Sequence, residues 1–410
     1  MEAAHSWALS RSLLSTHILH RLHAPRSAVL GTRLCIPIEG FIWTKSCAGL
    51  FQRMCISSAA ETPSSTRPSD CTFQSRLNEA RHAGHVLALF KQRDPRLEVN
   101  HAVQCLDKLR ALGRGFRETD RPALALFVDR SRALVSSSQA AGQPLARLLG
   151  AIARLEAAHG HFSDTLRPLS KLVVRTLLVH TSELTSPELA LACWALAKIK
   201  VGGTLEREAL QALLCQVAAI GPSLSCASSS DLVRLVWAIA SLGARATPRS
   251  LSDERRLQAC LASEALRAMD LTPQGLSNLA WALARSSAAD AANFEAIAAK
   301  TPEVFAHYGA TTSPQSLANL SWAFATAANA DPRVFGAVAQ GTVFRFGAFT
   351  AVEQANLCWA FAKVRAQEPA LVEALLRSID AGVLARRKPR DLASLAWAAS
   401  ALGAPAASLE

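Results

Sequence analysis

The chain is poor in several features that define common protein classes. It has one Tyr, three Met and no CxxC pair among its ten Cys, and 19% of its 410 residues are charged. Half of the residues are hydrophobic, which excludes a wholly disordered chain, and 20 Gly with 18 Pro are too few for a collagen or a Pro/Gly linker protein. No apolar run approaches the ~18 residues of a membrane-spanning helix, so we expect no membrane insertion.

Catalytic and metal-binding signatures are also missing. The sequence contains no GxGxxG, Walker, HExxH or GxSxG motif. The close His pairs, His82 with His85 and His159 with His161, have no carboxylate or Cys nearby at metal-ligand spacing. We therefore expect a protein that is not an enzyme and that carries no metal or cofactor.

The charge balance is strongly basic. The formal net charge is +12, and the part of the chain after residue 60 retains +8. Such a balance favours an anionic partner such as RNA. A mildly basic protein does not require a nucleic acid, so charge alone leaves both interpretations open.

The N-terminal segment is typical of organellar targeting. Residues 1–56 are rich in Arg and Ser and almost free of acid, and Trp7, Leu14 and Ile18 can share one helix face. These properties predict a transit peptide over 1–56, followed by a disordered Ser/Thr/Pro linker over 57–73. We expect import into the mitochondrial matrix, with a plastid as the first alternative and a disordered cytosolic tail as the second.

An internal repeat dominates the remaining sequence. Six of the eight Trp residues lie in nearly identical segments, such as LSNLAWALARS and LANLSWAFATA, at spacings of 43, 44, 41, 37 and 38 residues. Two earlier segments fit the same template with Asp107 and Gly150 in the Trp position. Together they predict about eight repeats of 37–44 residues over 102–410, preceded by an N-terminal capping helix within 74–101.

Each repeat is predicted to be a pair of helices. Apolar residues stand five and two positions before the Trp and two and five after it, which forms one stripe on a helix. Helix starts are marked by hydroxyl residues before Pro, as at Ser186, Thr272 and Ser313. A second apolar stripe follows in most repeats. The fold class is therefore predicted to be all-α, an α-solenoid of two-helix repeats.

Polar positions recur at fixed distances from the Trp. Three residues before it the side chain is usually an amide or a base, and four residues after it the side chain is often basic. The two positions lie about 20° apart on a helix, so they project from one face. Amides can bind base edges and cations can bind phosphates, so these columns are the candidate RNA-binding residues. They are Gln104, Arg147, Arg154, Lys198, Arg234, Asn278, Arg285, Asn319, Asn356, Lys363 and Ser394.

Two further positions complete the predicted helix. An Ala follows the Trp position in seven repeats, Ala282 among them, and its small size is expected to leave the polar face flat and open. The Trp itself has two interpretations: stacking on bases, or packing between repeats. Packing is the favoured one. A repeated Asn has a similar alternative to RNA contact, which is bonding to a neighbouring backbone group.

The motif L-x-N-L-x-W-A-x-A, present at 276–284 and 317–325, resembles that of organellar helical-repeat RNA-binding proteins. These include octotricopeptide-repeat proteins, the leucine-rich region of FAST-kinase-domain-like proteins and the helical proteins of the RNA-editing substrate-binding complex. The resemblance covers about residues 75–410, although no PPPEW signature and no RAP-like domain are seen. It implies sequence-selective binding of single-stranded organellar RNA, serving mRNA stability, RNA processing, rRNA maturation or translation. The alternative is a protein scaffold within an organellar ribosome or RNA-processing complex, with ribonucleoprotein proteins as partners.

Overall fold

A computed structural model describes residues 68–91, 97–113, 117–137, 141–199, 203–221, 224, 227–242, 251–286, 288, 290–366, 368–378 and 388–402. Within these ranges the chain forms 17 α-helices and no β-strand, so the fold is all-α as predicted. The predicted transit peptide, 1–56, lies outside the described residues, as does the part of the predicted linker at 57–67.

Odd-numbered helices carry the repeated motif, apart from the first. Each of the first seven of these eight motif helices packs against the next one along the chain. The odd-numbered helices are α1 (Pro68–Glu79), α3 (Val99–Ala111), α5 (Gly142–Ala158), α7 (Ser186–Lys198), α9 (Ser229–Leu242), α11 (Pro273–Arg285), α13 (Pro314–Thr326), α15 (Ala351–Val364) and α17 (Pro389–Ala401).

Even-numbered helices lie between them in the chain. They contact one another in two runs, α2 to α8 and α10 to α14, and most pack against the motif helix that precedes them. The even-numbered helices are α2 (Ala83–Lys91), α4 (Arg121–Ser137), α6 (Ser163–Val179), α8 (Gly203–Ala219), α10 (Leu251–Arg267), α12 (Ala291–Tyr308), α14 (Pro332–Thr342) and α16 (Pro369–Ser378). Helices therefore pack against their neighbours in sequence order.

The apolar stripes form one continuous core. A single cluster of buried side chains extends from Leu77 to Ala399. Cys193 and Cys358, each directly before a Trp, are buried in it. Burial without a charged partner raises the pKa of the Cys193 thiol to about 12, so this residue acts as a small apolar side chain.

Helix starts follow the hydroxyl–Pro rule at two of the three predicted sites. The hydroxyl oxygen of Thr272 accepts a hydrogen bond from the Gly275 N–H at 3.1 Å, and Ser313 caps α13 in the same way. At α7 the N-cap is Thr185, one residue before the predicted Ser186. The Glu188 carboxylate accepts a hydrogen bond from the Thr185 N–H at 2.9 Å, which forms a capping box.

The N-terminal boundary differs from the prediction. Residues 68–73, expected to be linker, lie in α1, because a Pro at a first helical position suits the helical backbone. The region 74–101 is not one capping helix but the end of α1, all of α2 and the start of α3. The chain turns at Ala80, whose N–H donates to the Leu77 carbonyl, and the His82 carbonyl accepts the first bonds of α2.

Two departures from the repeat pattern compensate for each other. Gly150 stands in the Trp position of α5, and Leu191 replaces the polar residue of α7. A Cβ on Gly150 would lie 2.7–3.1 Å from three side-chain carbons of Leu191. The Leu side chain therefore occupies the space that a side chain at position 150 would need.

We predict that Gly150→Ala lowers the free energy of unfolding by about 1 kcal/mol, because overpacking against Leu191 outweighs the better helix propensity of Ala. The matched control is Gly336→Ala in α14, where a Cβ meets nothing within 4 Å and stability should rise by about 0.5–1 kcal/mol. Chemical denaturation measures both. Adding Leu191→Ala should make Gly150→Ala stabilising; an unchanged penalty in that background would contradict the compensation.

Candidate functional site

The motif helices share one narrow exposed stripe. In α11 the side chains of Gln274, Asn278, Trp281 and Arg285 are exposed or half-buried, and nearly all other residues of the helix are buried. Relative to the Trp these are positions −7, −3, 0 and +4, which span about 60° of the helix at 100° per residue. We call these four positions, taken on all of the motif helices, the odd-helix stripe. All of the sequence-predicted RNA-binding residues lie on it, and none is buried.

Three amides occupy the −3 position on consecutive helices. Asn278, Asn319 and Asn356 are half-buried on α11, α13 and α15, which pack in that order. Among the described residues, no hydrogen bond occupies these side-chain amides. The alternative that a repeated Asn satisfies a neighbouring backbone group therefore does not hold here, and the amides are free to bind a ligand.

Position −7 adds amides that sequence reasoning missed. Gln274 and Gln315 are exposed one helical turn before Asn278 and Asn319. Their spacing of seven from the Trp places them on the same stripe, so the helical wheel alone could have found them. In α5 the equivalent Gln143 is already engaged, because its amide donates a hydrogen bond to Glu188 of α7 at 3.1 Å.

The remaining −3 positions are more varied. Gln104 and Arg147 are exposed on α3 and α5. Arg234 on α9 forms an ion pair with Asp231 at 2.9 Å, and the Ser394 hydroxyl on α17 donates to the Arg390 carbonyl at 3.1 Å. The unoccupied amides are thus concentrated on α11 to α15.

We call the cations at position +4 the basic column. Most of them contact neighbouring side chains. Arg154 binds Asp107 of α3 through two hydrogen bonds of 3.0 Å. The Lys198 ammonium lies 4.3 Å from the ring centroid of Trp237, and the Arg285 guanidinium lies 5.5 Å from that of Trp281. The Asp107 carboxylate neutralises Arg154, whereas the rings position Lys198 and Arg285 without removing their charge.

Lys363 differs from the other members of the basic column. It is exposed near the end of α15, and no ion pair or ring contact holds it among the described residues. It is therefore the member whose ammonium group is most available to an anion.

The Trp rings lie on the stripe rather than inside the core. Five of them are half-buried, and Trp397 is 46% exposed. The rings of Trp237 and Trp281 stack across adjacent helices, with centroids 6.1 Å apart and planes inclined by 23°. Packing between repeats, as predicted, is therefore shown for this pair, and the five half-buried rings all contact the core. On α11 the Trp281 ring shares the stripe with Asn278 and Arg285.

The Ala that follows the Trp has a different place from the one predicted. Ala151, Ala238, Ala282 and their equivalents are fully buried, so they are not part of the open face. At about 100° from the Trp they point toward the adjacent motif helix. Their small size serves helix packing.

A cavity of about 450 Å³ lies beside Lys198. Glu156 and Lys198 line it from the ends of α5 and α7, and Arg167 lines it from α6. Burial raises the pKa of the Glu156 carboxyl to about 7, with a smaller upward contribution from Asp164 and opposing ones from Arg167 and Ser163. Burial also lowers the pKa of the Lys198 ammonium. The Glu156 carboxyl therefore titrates near neutral pH.

Metal-binding and membrane-spanning features are not found in the described part of the chain. No group of three or more His, Cys, Asp or Glu residues is arranged to hold a metal ion there. No helix of that part is long and apolar enough to cross a bilayer.

Comparison with known proteins adds no family. No family model matches the chain, and no curated protein is significantly similar to it.

We predict that Glu156→Gln raises the melting temperature at pH 8 and leaves it nearly unchanged at pH 4.5. The folded carboxyl has the higher pKa, so its favourable contribution is complete below about 4.5 and is lost as pH rises toward about 7. A neutral amide does not pay this desolvation cost at high pH.

Thermal melts of the wild type and of Glu156→Gln between pH 4.5 and pH 8 provide the test. Glu303→Gln, at an exposed position on α12, controls for the change in net charge. Equal effects of the two substitutions at pH 8 would rule out burial of Glu156 as the cause.

Proposed function

We propose that the chain is a non-catalytic α-solenoid of about eight two-helix repeats that binds single-stranded RNA along its odd-helix stripe. The observation that carries this proposal is the row of unoccupied amides at Asn278, Asn319 and Asn356 on consecutive packed helices. Amide side chains can bond to base edges, and arrays that read one base per helical repeat are a known mode of RNA recognition.

Cations and aromatic rings beside the amides support the same proposal. Lys363 and Arg285 are exposed on the stripe and can meet phosphates, which are one per nucleotide along the strand. Half-exposed indole rings offer surfaces to which bases bind without sequence preference. Because most of the stripe is polar rather than charged, the expected binding combines moderate affinity with selectivity at the amide positions.

The cellular setting of this proposal comes from the sequence. The Arg-rich, acid-poor segment 1–56 favours import into the mitochondrial matrix, with a plastid as the alternative. There the protein would support mRNA stability, RNA processing, rRNA maturation or translation.

A protein scaffold is the second candidate, and one observation favours it. Val179, Met269 and Phe344 are 77%, 91% and 96% exposed. Each lies at or just beyond the end of an even-numbered helix, α6, α10 or α14, hence at equivalent places in alternate repeats. Large apolar side chains as exposed as these are available for contact with a partner protein.

We predict that the triple variant Asn278→Ala, Asn319→Ala, Asn356→Ala binds its preferred RNA at least tenfold more weakly, with unchanged helicity. Each lost amide–base bond costs about 1 kcal/mol or more in discrimination. Fluorescence anisotropy with an RNA selected from a random pool measures the effect, and circular dichroism checks the fold.

The matched control is Gln211→Ala with Gln340→Ala, which removes exposed amides from even-numbered helices. The control should bind RNA like the wild type. Full RNA affinity in the triple variant would refute the role of the stripe. No RNA affinity in the wild type, together with protein partners that co-purify after RNase treatment, would favour the scaffold.

We predict that Lys363→Ala lowers the slope of log affinity against log salt by about 0.7, the value for one phosphate contact on a single strand. Arg154→Ala should change the slope far less, because its guanidinium is already bound to Asp107. Titrations between 50 and 300 mM salt compare the two. A larger change from Arg154→Ala would contradict this assignment of available and occupied cations.

A further inference from the structure

The cavity beside Lys198 is formed where three helices meet. Glu156 and Ala157 come from the end of α5, and Lys198 and Ile199 from the end of α7 and the residue after it. Ser163, Arg167 and Ser170 lie along α6 at spacings of four and three, so they share one face of that helix. A volume of about 450 Å³ falls in the range of small-ligand sites, about 300–1,000 Å³.

Two cations and one carboxyl group determine what the cavity can bind. Arg167 pairs with Asp164 at 2.9 Å through a single nitrogen, and its side chain is half-exposed. A guanidinium has five N–H donors, so most of them remain for a ligand. Lys198 supplies the second cation. With Asp164 and Glu156 both ionised, these four groups sum to zero charge, and protonation of Glu156 leaves a net positive site.

Glu156 therefore controls the preference for anions. The groups that face it are Arg167 and Asp164 from α6 and Lys198 from α7. On its own helix Arg154 is bound to Asp107 of α3. With a pKa of about 7, the carboxyl is half-protonated at neutral pH. A protonated carboxyl no longer repels an anion and can donate a hydrogen bond to it.

Lys198 connects this cavity to the odd-helix stripe. Its ammonium lies 4.3 Å from the Trp237 ring centroid, on the stripe of α9, while its side chain also lines the cavity. An anion held by Lys198 would thus lie next to an aromatic surface. A nucleotide presents these two features together, a phosphate and a base.

We propose that this cavity binds a phosphate group through Arg167 and Lys198, beside the Glu156 carboxyl. The inference rests on the proposed function in one respect, since it assigns the phosphate to the backbone of the bound RNA. Anion binding at the site takes up a proton, so affinity falls as pH rises through neutrality.

The test uses the full chain and dimethyl phosphate, a phosphodiester whose charge is constant between pH 6 and pH 8. Binding followed by phosphorus NMR is expected to be about tenfold tighter at pH 6 than at pH 8, the ratio of protonated Glu156 for a pKa of about 7. Glu156→Gln should bind equally well at both pH values, and Arg167→Gln should bind more weakly at both.

Arg175→Gln is the matched control, since Arg175 is exposed on the same helix but does not line the cavity. Equal effects of Arg167→Gln and Arg175→Gln, or a pH dependence that survives in Glu156→Gln, would overturn the proposal. Thermal melts establish that each variant folds.

A single-stranded RNA with a 5′-hydroxyl distinguishes the source of the phosphate. Competition between this RNA and dimethyl phosphate, with weaker RNA binding by Arg167→Gln, supports a backbone phosphate. Binding of dimethyl phosphate without such competition overturns the assignment to a strand. Loss of RNA binding in the triple Asn variant but not in Arg167→Gln would leave the proposed function intact and refute this inference alone.

Discussion

The contact between successive motif helices is the constraint from which the other features follow. Each motif helix between α3 and α17 packs against the preceding and the following one, and most motif helices also pack against an even-numbered helix. From α9 to α15 most of what water reaches is a stripe of about 60°, at positions −7, −3, 0 and +4. Any recognition by this layer must use those four positions, which explains why amides, cations and Trp rings are crowded together on it.

Helical periodicity predicted the all-α class and the places of the motif helices. The apolar stripe around Trp281 and the Pro residues at 273 and 314 marked α11 and α13 correctly, because both signals are local. The N-cap of α7 was placed one residue late, since its capping box depends on Glu188 rather than on Pro187. Gly84, the Gly near the α1–α2 boundary, lies inside α2 and not between the helices, so the sequence did not mark where α1 ends.

Side-chain partners could not be predicted, because they come from other repeats. Nothing in the local sequence shows that Arg154 binds Asp107, 47 residues away, or that Lys198 reaches Trp237. One cation of the basic column, Arg154, is therefore already neutralised by a carboxylate. Likewise, burial of the Ala after each Trp depends on how closely the next helix approaches. The apolar residue at position −3 of α7, Leu191, is explained by its packing against Gly150.

The concentration of unoccupied amides on α11, α13 and α15 has a consequence for information content. At one base per helix, three amide positions specify a sequence of three nucleotides. Such a triplet recurs about once in 64 nucleotides of random sequence, which is far too often to mark one site in a transcript. With the proposed function, this array alone would bind a class of sites. Recognition of one particular site would require a second RNA-binding protein on the same transcript.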